Sequence, residues 1–169
     1  RARSGVFRIA LVGYTNAGKS TLLNALTDAG VLVQDQLFAT LDATTRRLDL
    51  PDGRAVTLTD TVGFINKLPH GLVEAFKSTL DEVREADLLL HVVDASHHNA
   101  DAQIAAVKVV LDEIDAAAKP QLVVYNKADR LSTDEQRRLE SVPGSVIISA
   151  AEGSGLDGLL DRVAGIAGG

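Results

Sequence analysis

Residues 13–20 carry a pattern suited to holding a chain of phosphates. Their sequence, G-Y-T-N-A-G-K-S, fits the phosphate-loop pattern G-x-x-x-x-G-K-S/T and stands between a predicted strand and a predicted helix. Glycine lets successive N–H groups turn toward a phosphate, and the N-terminus of the helix adds partial positive charge. A chance match to the full pattern is expected in under about 1% of chains of this length. We therefore predict a nucleotide phosphate site, formed by Gly13, Tyr14, Thr15, Asn16, Ala17, Gly18, Lys19, Ser20 and Thr21.

A second motif, Asn126-Lys127-Ala128-Asp129, has the groups needed to recognise guanine. It follows a predicted strand that ends at Tyr125, and open parallel sheets bind ligands at this edge. The Asp129 carboxylate can accept from N1–H and the exocyclic amine of guanine, whereas adenine has an acceptor at N1 and no amine at C2. We expect Lys127 to lie along the base and Asn126 to tie this loop to the phosphate loop. Alone, an N-K-x-D string is usually a solvated loop, but following a phosphate loop it is specific.

A third segment, Ser149-Ala150-Ala151, follows the next predicted strand and completes the predicted base site. Here the Ala150 N–H can donate to the O6 atom of guanine. Together the motifs predict that the chain binds GTP and GDP in preference to ATP.

The segment Asp60-Thr61-Val62-Gly63 ends another predicted strand and is suited to sensing the third phosphate. Asp60 would bind Mg²⁺ through a water molecule, and the Gly63 N–H would contact the γ-phosphate. By itself this D-x-x-G string would be better explained as a strand-terminal aspartate in a turn. We choose Thr40 as the second direct Mg²⁺ ligand, although spacing alone does not exclude Thr44 or Thr45. The predicted metal ligands are Ser20, Thr40 and Asp60, and the predicted catalytic residues are Lys19, Thr40 and Gly63.

Strands alternating with helices must position these groups. The pattern of apolar residues predicts strands at 6–12, 46–50, 54–59, 88–93, 122–125 and 146–149, and helices at 19–26, 72–83, 104–114, 133–140 and 156–166. Such alternation favours a mostly parallel sheet covered on both faces. The turn at 51–53 adds one antiparallel hairpin strand. We predict an α/β P-loop NTPase fold, a Ras-like three-layer α/β/α domain with a six-stranded mixed sheet, over residues 5–169, with residues 1–4 as a linker stub.

Composition excludes several other classes of protein. The 169 residues include no cysteine, so there is no disulfide framework, thiolate metal site or thiol nucleophile. No apolar run approaches the ~20 residues of a membrane span, and no signal peptide opens the chain. The net charge of -6 argues against non-specific binding of RNA or DNA through the net field of the domain, although it leaves a local basic patch open, and we expect no DNA partner. We expect a monomeric, cytoplasmic domain without membrane insertion. We also expect His91 to be a core histidine with its hydrogen bonds satisfied, and we assign no metal site to His97-His98.

Beyond these general motifs, the chain resembles the HflX family of GTPases. The resemblance rests on GYTNAGKST, QLFATLDATTRRL, DTVGFINKLPH, LLLHVVDAS and NKAD, which together extend over nearly the whole chain. It implies that the threonine of F-A-T-L-D, here Thr40, is the switch ligand, and it extends the nucleotide site to Phe38, Ala39, Thr40, Leu41 and Asp42. Ala43 replaces the proline of the family's L-D-P-T-T. The resemblance also implies an N-terminal domain that this chain lacks, and action on the large ribosomal subunit in ribosome rescue or splitting.

Two positions bear on the rate of hydrolysis. Phe64 follows Gly63, where Ras-like enzymes place the glutamine that orients the attacking water. A phenyl ring cannot orient that water, so we predict slow intrinsic hydrolysis. Asn16 is suited either to holding K⁺ beside the phosphates or merely to stabilising a turn.

Two alternatives to a GTP-hydrolysing switch remain open. One is a nucleotide-gated binding module that does not hydrolyse GTP without a partner. The other is the G domain of a tRNA-modification or Obg-type GTPase.

Overall fold

Strands alternate with helices along the chain, as the hydrophobic pattern predicts. The structure is a computed structural model, which describes residues 6–14, 17–27, 44–61, 81 and 83–168. The strands are β1 (Arg8–Val12), β2 (Thr44–Asp49), β3 (Ala55–Asp60), β4 (Leu88–Asp94), β5 (Gln121–Asn126) and β6 (Ser145–Ile147). The helices are α1 (Lys19–Thr27), α2 (Ala100–Glu113), α3 (Thr133–Glu140) and α4 (Leu156–Gly168), and residues 81 and 83–85 are also helical. Most of the helix predicted at 72–83 lies outside the described residues.

The six strands form one mixed sheet in the order β2-β3-β1-β4-β5-β6. Parallel pairing joins β1 to β3 and β4, β4 to β5, and β5 to β6. Only β2 runs antiparallel, because a tight turn with Gly53 at φ 87° joins it to β3. This confirms the predicted six-stranded sheet with one antiparallel strand. The five parallel strands end at a common edge, where the predicted motifs lie.

Apolar side chains cover both faces of this sheet. Because successive residues of a strand point to opposite faces, Ile9 and Leu11 of β1 pack with α1 and α4, while Ala10 and Val12 join the cluster that contains α2. Every residue of β4 is buried, as expected for a central parallel strand. The result is the predicted three-layer arrangement. None of the helices in the described ranges combines the length and apolarity needed to cross a membrane.

The last strand ends earlier than predicted. We expected it to span 146–149, whereas β6 is Ser145–Ile147, and Ser149 instead forms an isolated bridge with Ser154. The Ser149 N–H donates to the Ser154 carbonyl at 2.9 Å, which closes a tight turn before α4. Ser149 and Ala150 therefore belong to a loop rather than to the sheet.

Local capping sets the start of α3. The Ser132 hydroxyl accepts from the Glu135 N–H, and the Glu135 side chain accepts from the Ser132 N–H, which is a complete capping box. The helix spans Thr133–Glu140, as predicted. The short 3₁₀ helix at Ala128–Arg130 was not predicted.

His91 departs from its expectation. It is buried in β4, but its Nδ1 atom has no hydrogen-bond partner within the described part of the chain. Burial lowers the pKa of His91 to about 4, and the nearby Lys108 cation acts in the same direction. His91 is thus a neutral core histidine at neutral pH, as expected, but the described residues do not satisfy its Nδ1 atom, contrary to the expectation of a satisfied histidine.

Candidate nucleotide-binding site

The phosphate loop depends on two glycines with positive φ. Gly13 has φ 148°, and a Cβ atom there would overlap the carbonyl oxygen of Val92 on β4. Gly18 has φ 93°, and its Cβ would lie 2.5 Å from the amide nitrogen of Asn126. Both positions therefore require glycine for space as well as for conformation. Thr15 and Asn16, including the proposed K⁺ ligand, lie outside the described residues.

Lys19, the first residue of α1, is buried near the carboxylate of Asp60. Its side chain is only 6% exposed, and burial lowers its pKa, while the charge of Asp60 opposes this shift. Burial in turn raises the pKa of Asp60, against the opposing effects of Lys19, of the Ser20 hydroxyl and of the Thr61 N–H. Burial thus disfavours the charged form of each of these side chains.

The oxygen atoms beside Lys19 suit a hard cation. The Ser20 hydroxyl donates to Asp60 Oδ2 at 3.0 Å. The other carboxylate oxygen, Asp60 Oδ1, is buried and has no hydrogen-bond partner among the described residues. Mg²⁺ prefers oxygen ligands, often one or two carboxylates together with water and phosphate. The residues present therefore fit a magnesium ion next to the phosphates.

Thr61 anchors the end of β3 to the neighbouring strand. Its hydroxyl donates to the Leu11 carbonyl at 2.6 Å, and its side chain is buried. Among the alternatives to Thr40, Thr45 shares a hydrogen bond of 2.9 Å with the Thr59 hydroxyl inside the hairpin, so its side chain is already engaged there. Thr44 lies opposite Asp60 in the register of β2 and β3. The remaining predicted switch residues, Phe38, Ala39, Thr40, Leu41, Asp42, Val62, Gly63 and Phe64, lie outside the described residues.

Asn126 joins three loops, at the end of β5. Its amide nitrogen donates to the Ala17 carbonyl at 2.9 Å, which confirms the predicted tie between the base-reading loop and the phosphate loop. Its amide oxygen accepts from the Ala150 N–H at 3.0 Å. We expected that N–H to face guanine O6, and the structure instead pairs it with Asn126. The reason is that β6 ends early and brings the Ala150 amide against the end of β5.

Asp129 is held by a serine from the third motif. The Ser149 hydroxyl donates to Asp129 Oδ1 at 2.7 Å, and Ser149 itself is buried. The two loops that carry Asp129 and Ser149 are joined by the Ala128 N–H, which donates to the Ile148 carbonyl at 3.0 Å. The carboxylate is exposed and directed by a fixed donor, as recognition of a base edge requires. Ala151 is exposed next to this loop.

At the end of β4 lie Asp94 and Ser96, which belong to the segment LLLHVVDAS but for which no role was predicted. The Asp94 carboxylate lies 3.2 Å from the ammonium of Lys127, which we had expected only to lie along the base. Both the N–H and the hydroxyl of Ser96 donate to Asp94 Oδ1, at 2.9 and 2.6 Å. The sequence did offer a signal for Asp94, because a carboxylate ends the mostly apolar strand β4. This strand lies between β1, which leads to the phosphate loop, and β5, which leads to the base-reading motif.

The adjacent histidines form no metal site with their neighbours in the described ranges. The rings of His97 and His98 stack with centroids 4.7 Å apart. The Asn99 N–H donates to Nδ1 of His97 at 3.0 Å, so that nitrogen is engaged in the turn before α2. Within the described residues, no group of three or more acidic, histidine or cysteine residues is placed to hold a metal ion.

Comparisons with known proteins agree with this geometry. Residues 8–127 match the family described as 50S ribosome-binding GTPase. Curated relatives named GTPase HflX include those of Caldanaerobacter subterraneus, 54% identical over 96% of this chain and 37% of the relative, and of Escherichia coli, 51% identical over 96% and 39%. The chain thus spans well under half the length of these relatives.

A solved structure shares the fold. It is a GTP-binding protein of the archaeon Sulfolobus solfataricus in complex with GDP, 28% identical to this chain, with a TM-score of 0.74 over 95% of this chain and 52% of that one. In the present chain, the fold places the phosphate loop, Asp60 and the base-reading motif at one edge of the sheet, as a nucleotide site of this kind requires. From the family match, the relatives and this geometry, we conclude that the chain belongs to the 50S ribosome-binding GTPase family and is a G domain of the HflX type.

Proposed function

We propose that this domain binds GTP and GDP with Mg²⁺, hydrolyses GTP slowly and changes conformation between the two states. The observation that carries the proposal is the meeting of two groups of side chains at one edge of the sheet. Lys19, Ser20 and Asp60 form a charged, incompletely paired group. Asn126 and Asp129 belong to a second, fully connected group beside it.

The first group suits a triphosphate. Burial lowers the pKa of Lys19 despite the charge of Asp60, and phosphate oxygens would add negative charge beside its ammonium group. Backbone N–H groups of the phosphate loop would add to it at the N-terminus of α1. Ser20 and Asp60, with Thr40 as the further ligand, would hold Mg²⁺, which when bound neutralises charge on the β- and γ-phosphates.

The second group suits guanine. With Ser149 donating to one oxygen, the Asp129 carboxylate is oriented to accept from N1–H and the exocyclic amine of the base. A site built around such a pair discriminates by a factor of ~10⁴–10⁵, because the wrong base leaves buried polar groups unpaired. Asn126 would keep the base-reading loop that carries Asp129 at a fixed position relative to the phosphates, because it is hydrogen-bonded to the phosphate loop.

Hydrolysis itself would rest on positioning and on charge neutralisation. Phe64 replaces the usual glutamine, so the attacking water would be positioned by backbone groups such as the Gly63 N–H or by a partner. K⁺ held by Asn16 would be a further source of positive charge. The γ-phosphate would order the loops that contain Thr40 and Gly63, and its loss would release them.

We propose the large ribosomal subunit as the partner, with a role in ribosome rescue or splitting for the whole protein, in the cytoplasm. The support is the family description and the name that the curated relatives carry. The same relatives favour an HflX-type domain over an Obg-type or tRNA-modification G domain. The domain would bind its nucleotide as a monomer.

Calorimetry and single-turnover kinetics test these proposals separately. We expect the 169-residue chain to bind GDP and a non-hydrolysable GTP analogue with Mg²⁺, and to bind ADP at least about 10⁴-fold more weakly. Folded protein that gives no heat with guanine nucleotides would refute the function. Hydrolysis without ribosomal subunits distinguishes a slow GTPase from a nucleotide-gated binding module, which the same residues would support. Such a module would show no turnover until subunits are added.

A further inference from the structure

Asp94 lies beside the base-reading motif, and although it belongs to the segment LLLHVVDAS, no role was predicted for it. It is the last residue of β4 and is aligned with Asn126, the last residue of β5. The Ala95 N–H donates to the Asn126 carbonyl at 2.9 Å, which fixes the two strand ends against each other. Asp94 is 5% exposed, so its carboxylate faces the protein rather than solvent.

Two kinds of contact keep this carboxylate ionised and oriented. Burial alone would raise the pKa of Asp94, but the two Ser96 donors and the Lys127 ammonium outweigh burial and hold the pKa below its ordinary value. The Ser96 contacts engage Oδ1, at 2.9 and 2.6 Å, and leave Oδ2 to Lys127 at 3.2 Å. The two Ser96 donors thus fix the rotation of the carboxyl group through Oδ1. The other oxygen, Oδ2, is left to pair with the Lys127 ammonium.

Lys127 needs such an anchor because the backbone does not fix the direction of its side chain. It has φ 66°, a left-handed conformation that is uncommon for residues other than glycine, asparagine and aspartate. It stands between Asn126, which binds the phosphate loop, and the turn that carries Asp129. A long side chain leaving this position has many rotamers, and ordering them on binding costs free energy.

We propose that Asp94, oriented by Ser96, is a positioning residue for nucleotide binding: it holds the Lys127 ammonium so that the aliphatic stem of Lys127 is already ordered along the face of the purine. This inference rests on the proposed guanine-nucleotide function and adds a residue to it. Asp94 itself does not touch the nucleotide. Its effect therefore reaches the ligand through Lys127 alone and acts at the base, not at the phosphates.

The test measures affinity in a double-mutant cycle. Asp94→Asn and Lys127→Met are made singly and together in the 169-residue chain, and fluorescent methylanthraniloyl-GDP is displaced by unlabelled GDP or a non-hydrolysable GTP analogue. We expect Asp94→Asn to weaken both nucleotides by the same factor, about tenfold, since a charged hydrogen bond is lost at the base end. In the Lys127→Met background the same change should have no further effect.

A matched control separates positioning from general damage. Asp87 precedes the other end of β4, where its carboxylate accepts from the Arg8 N–H at 2.9 Å. Asp87→Asn removes a charge from a carboxylate that is also hydrogen-bonded to the backbone but lies far from the motifs, and we expect GDP affinity to stay within about twofold of the parent.

If Asp94→Asn fails to fold, as judged by thermal unfolding, Ser96→Ala takes its place. It removes the 2.6 Å donor, and a loss of about threefold that also disappears with Lys127→Met is then expected.

Failure of the positioning role can be distinguished from failure of the proposed guanine-nucleotide function. A parent chain that binds no GDP refutes the proposed function. A parent chain that binds GDP, with unchanged affinity in Asp94→Asn, refutes the positioning role alone. Equal losses with and without the Lys127→Met substitution would also refute it, since Asp94 would then act on the fold and not through lysine.

Discussion

The two ends of the nucleotide site are built in opposite ways. At the base end, Asn126, Asp129 and Asp94 each have hydrogen-bonded partners at 2.6 to 3.2 Å within the protein. At the phosphate end, burial lowers the pKa of Lys19 and raises the pKa of Asp60, which favours the neutral form of each side chain. Asp60 Oδ1 lacks a hydrogen bond to any described residue.

This difference indicates how the site divides its work. The base end is complete before a ligand arrives, so it can reject a wrong base without rearranging. The phosphate end carries charges that the protein alone does not balance, so a triphosphate and a cation would relieve a cost already present in the fold. Substitutions at the base end should therefore weaken selectivity or the fold, and substitutions at the phosphate end should abolish function and spare the fold.

The largest effect is expected at Asp129. Asp129→Asn replaces an acceptor pair by one acceptor and one donor, which suits xanthine rather than guanine. We expect the preference for GDP over xanthosine diphosphate to fall by ~10⁴, measured by competition binding. Full retention of the preference for GDP would contradict the assignment of Asp129 as the base reader.

A loss of about 10³ in single-turnover GTP hydrolysis is expected for Lys19→Met. The ammonium would no longer neutralise charge on the β- and γ-phosphates, while the apolar stem of the methionine would still fill the buried space. Thermal unfolding without nucleotide is the control, and it should change little. Hydrolysis at the parent rate would remove Lys19 from the catalytic set.

Asn126→Ala tests the prebuilt character of the base end. It leaves the Ala17 carbonyl and the Ala150 N–H without their partner, and each buried unsatisfied group costs about 1–3 kcal/mol. We expect the free energy of unfolding in urea to fall by about 2–4 kcal/mol. Gln136→Ala is the matched control: it removes a single amide bond of 2.9 Å to the Ala128 carbonyl and should cost about 1 kcal/mol. Equal losses in the two variants would show that Asn126 does not join the loops energetically.

The smallest effect, and the one most specific to the phosphate end, concerns pH. Burial raises the pKa of Asp60 above its ordinary 3.8, so its ionised form destabilises the nucleotide-free fold above that raised pKa, and the penalty fades as the pH falls. Asp60→Asn should therefore raise the free energy of unfolding at a pH of about 7.5 and raise it less at acidic pH.

Asp94 gives the opposite sign and so sharpens the comparison. Its pKa is held below 3.8, so its stabilisation is present above that value and is lost as the pH falls through the folded pKa. Asp94→Asn should lower stability near neutral pH, whereas Asp60→Asn should raise it and still abolish Mg²⁺-dependent binding of GTP. Urea unfolding of both variants at several pH values, without nucleotide, checks the two signs. Loss of stability in both would contradict the contrast.

Short-range patterns gave those features of the chain that depend on neighbouring residues. Residues 13–20 identify the phosphate loop, because the glycines, the lysine and the serine act within one strand–loop–helix unit. The limits predicted for α3, 133–140, match the helix, and the structure shows that the local capping box of Ser132 and Glu135 sets its start. The apolar pattern of the strands and helices predicted the layers, since each strand must bury its faces wherever it lies, and the turn at 51–53 predicted the antiparallel hairpin.

Tertiary structure decided the contacts that join distant parts of the chain. The Asp94–Lys127 pair, the Asn126–Ala150 bond and the early end of β6 depend on how β4, β5 and β6 align, and no local pattern specifies that register. Burial is likewise a property of the folded protein, so the sequence named Lys19 and Asp60 without revealing their displaced pKa values. The residue types thus determined which chemistry this chain can carry out. Packing determined which of these groups have hydrogen-bond partners within the protein and which charged groups are buried.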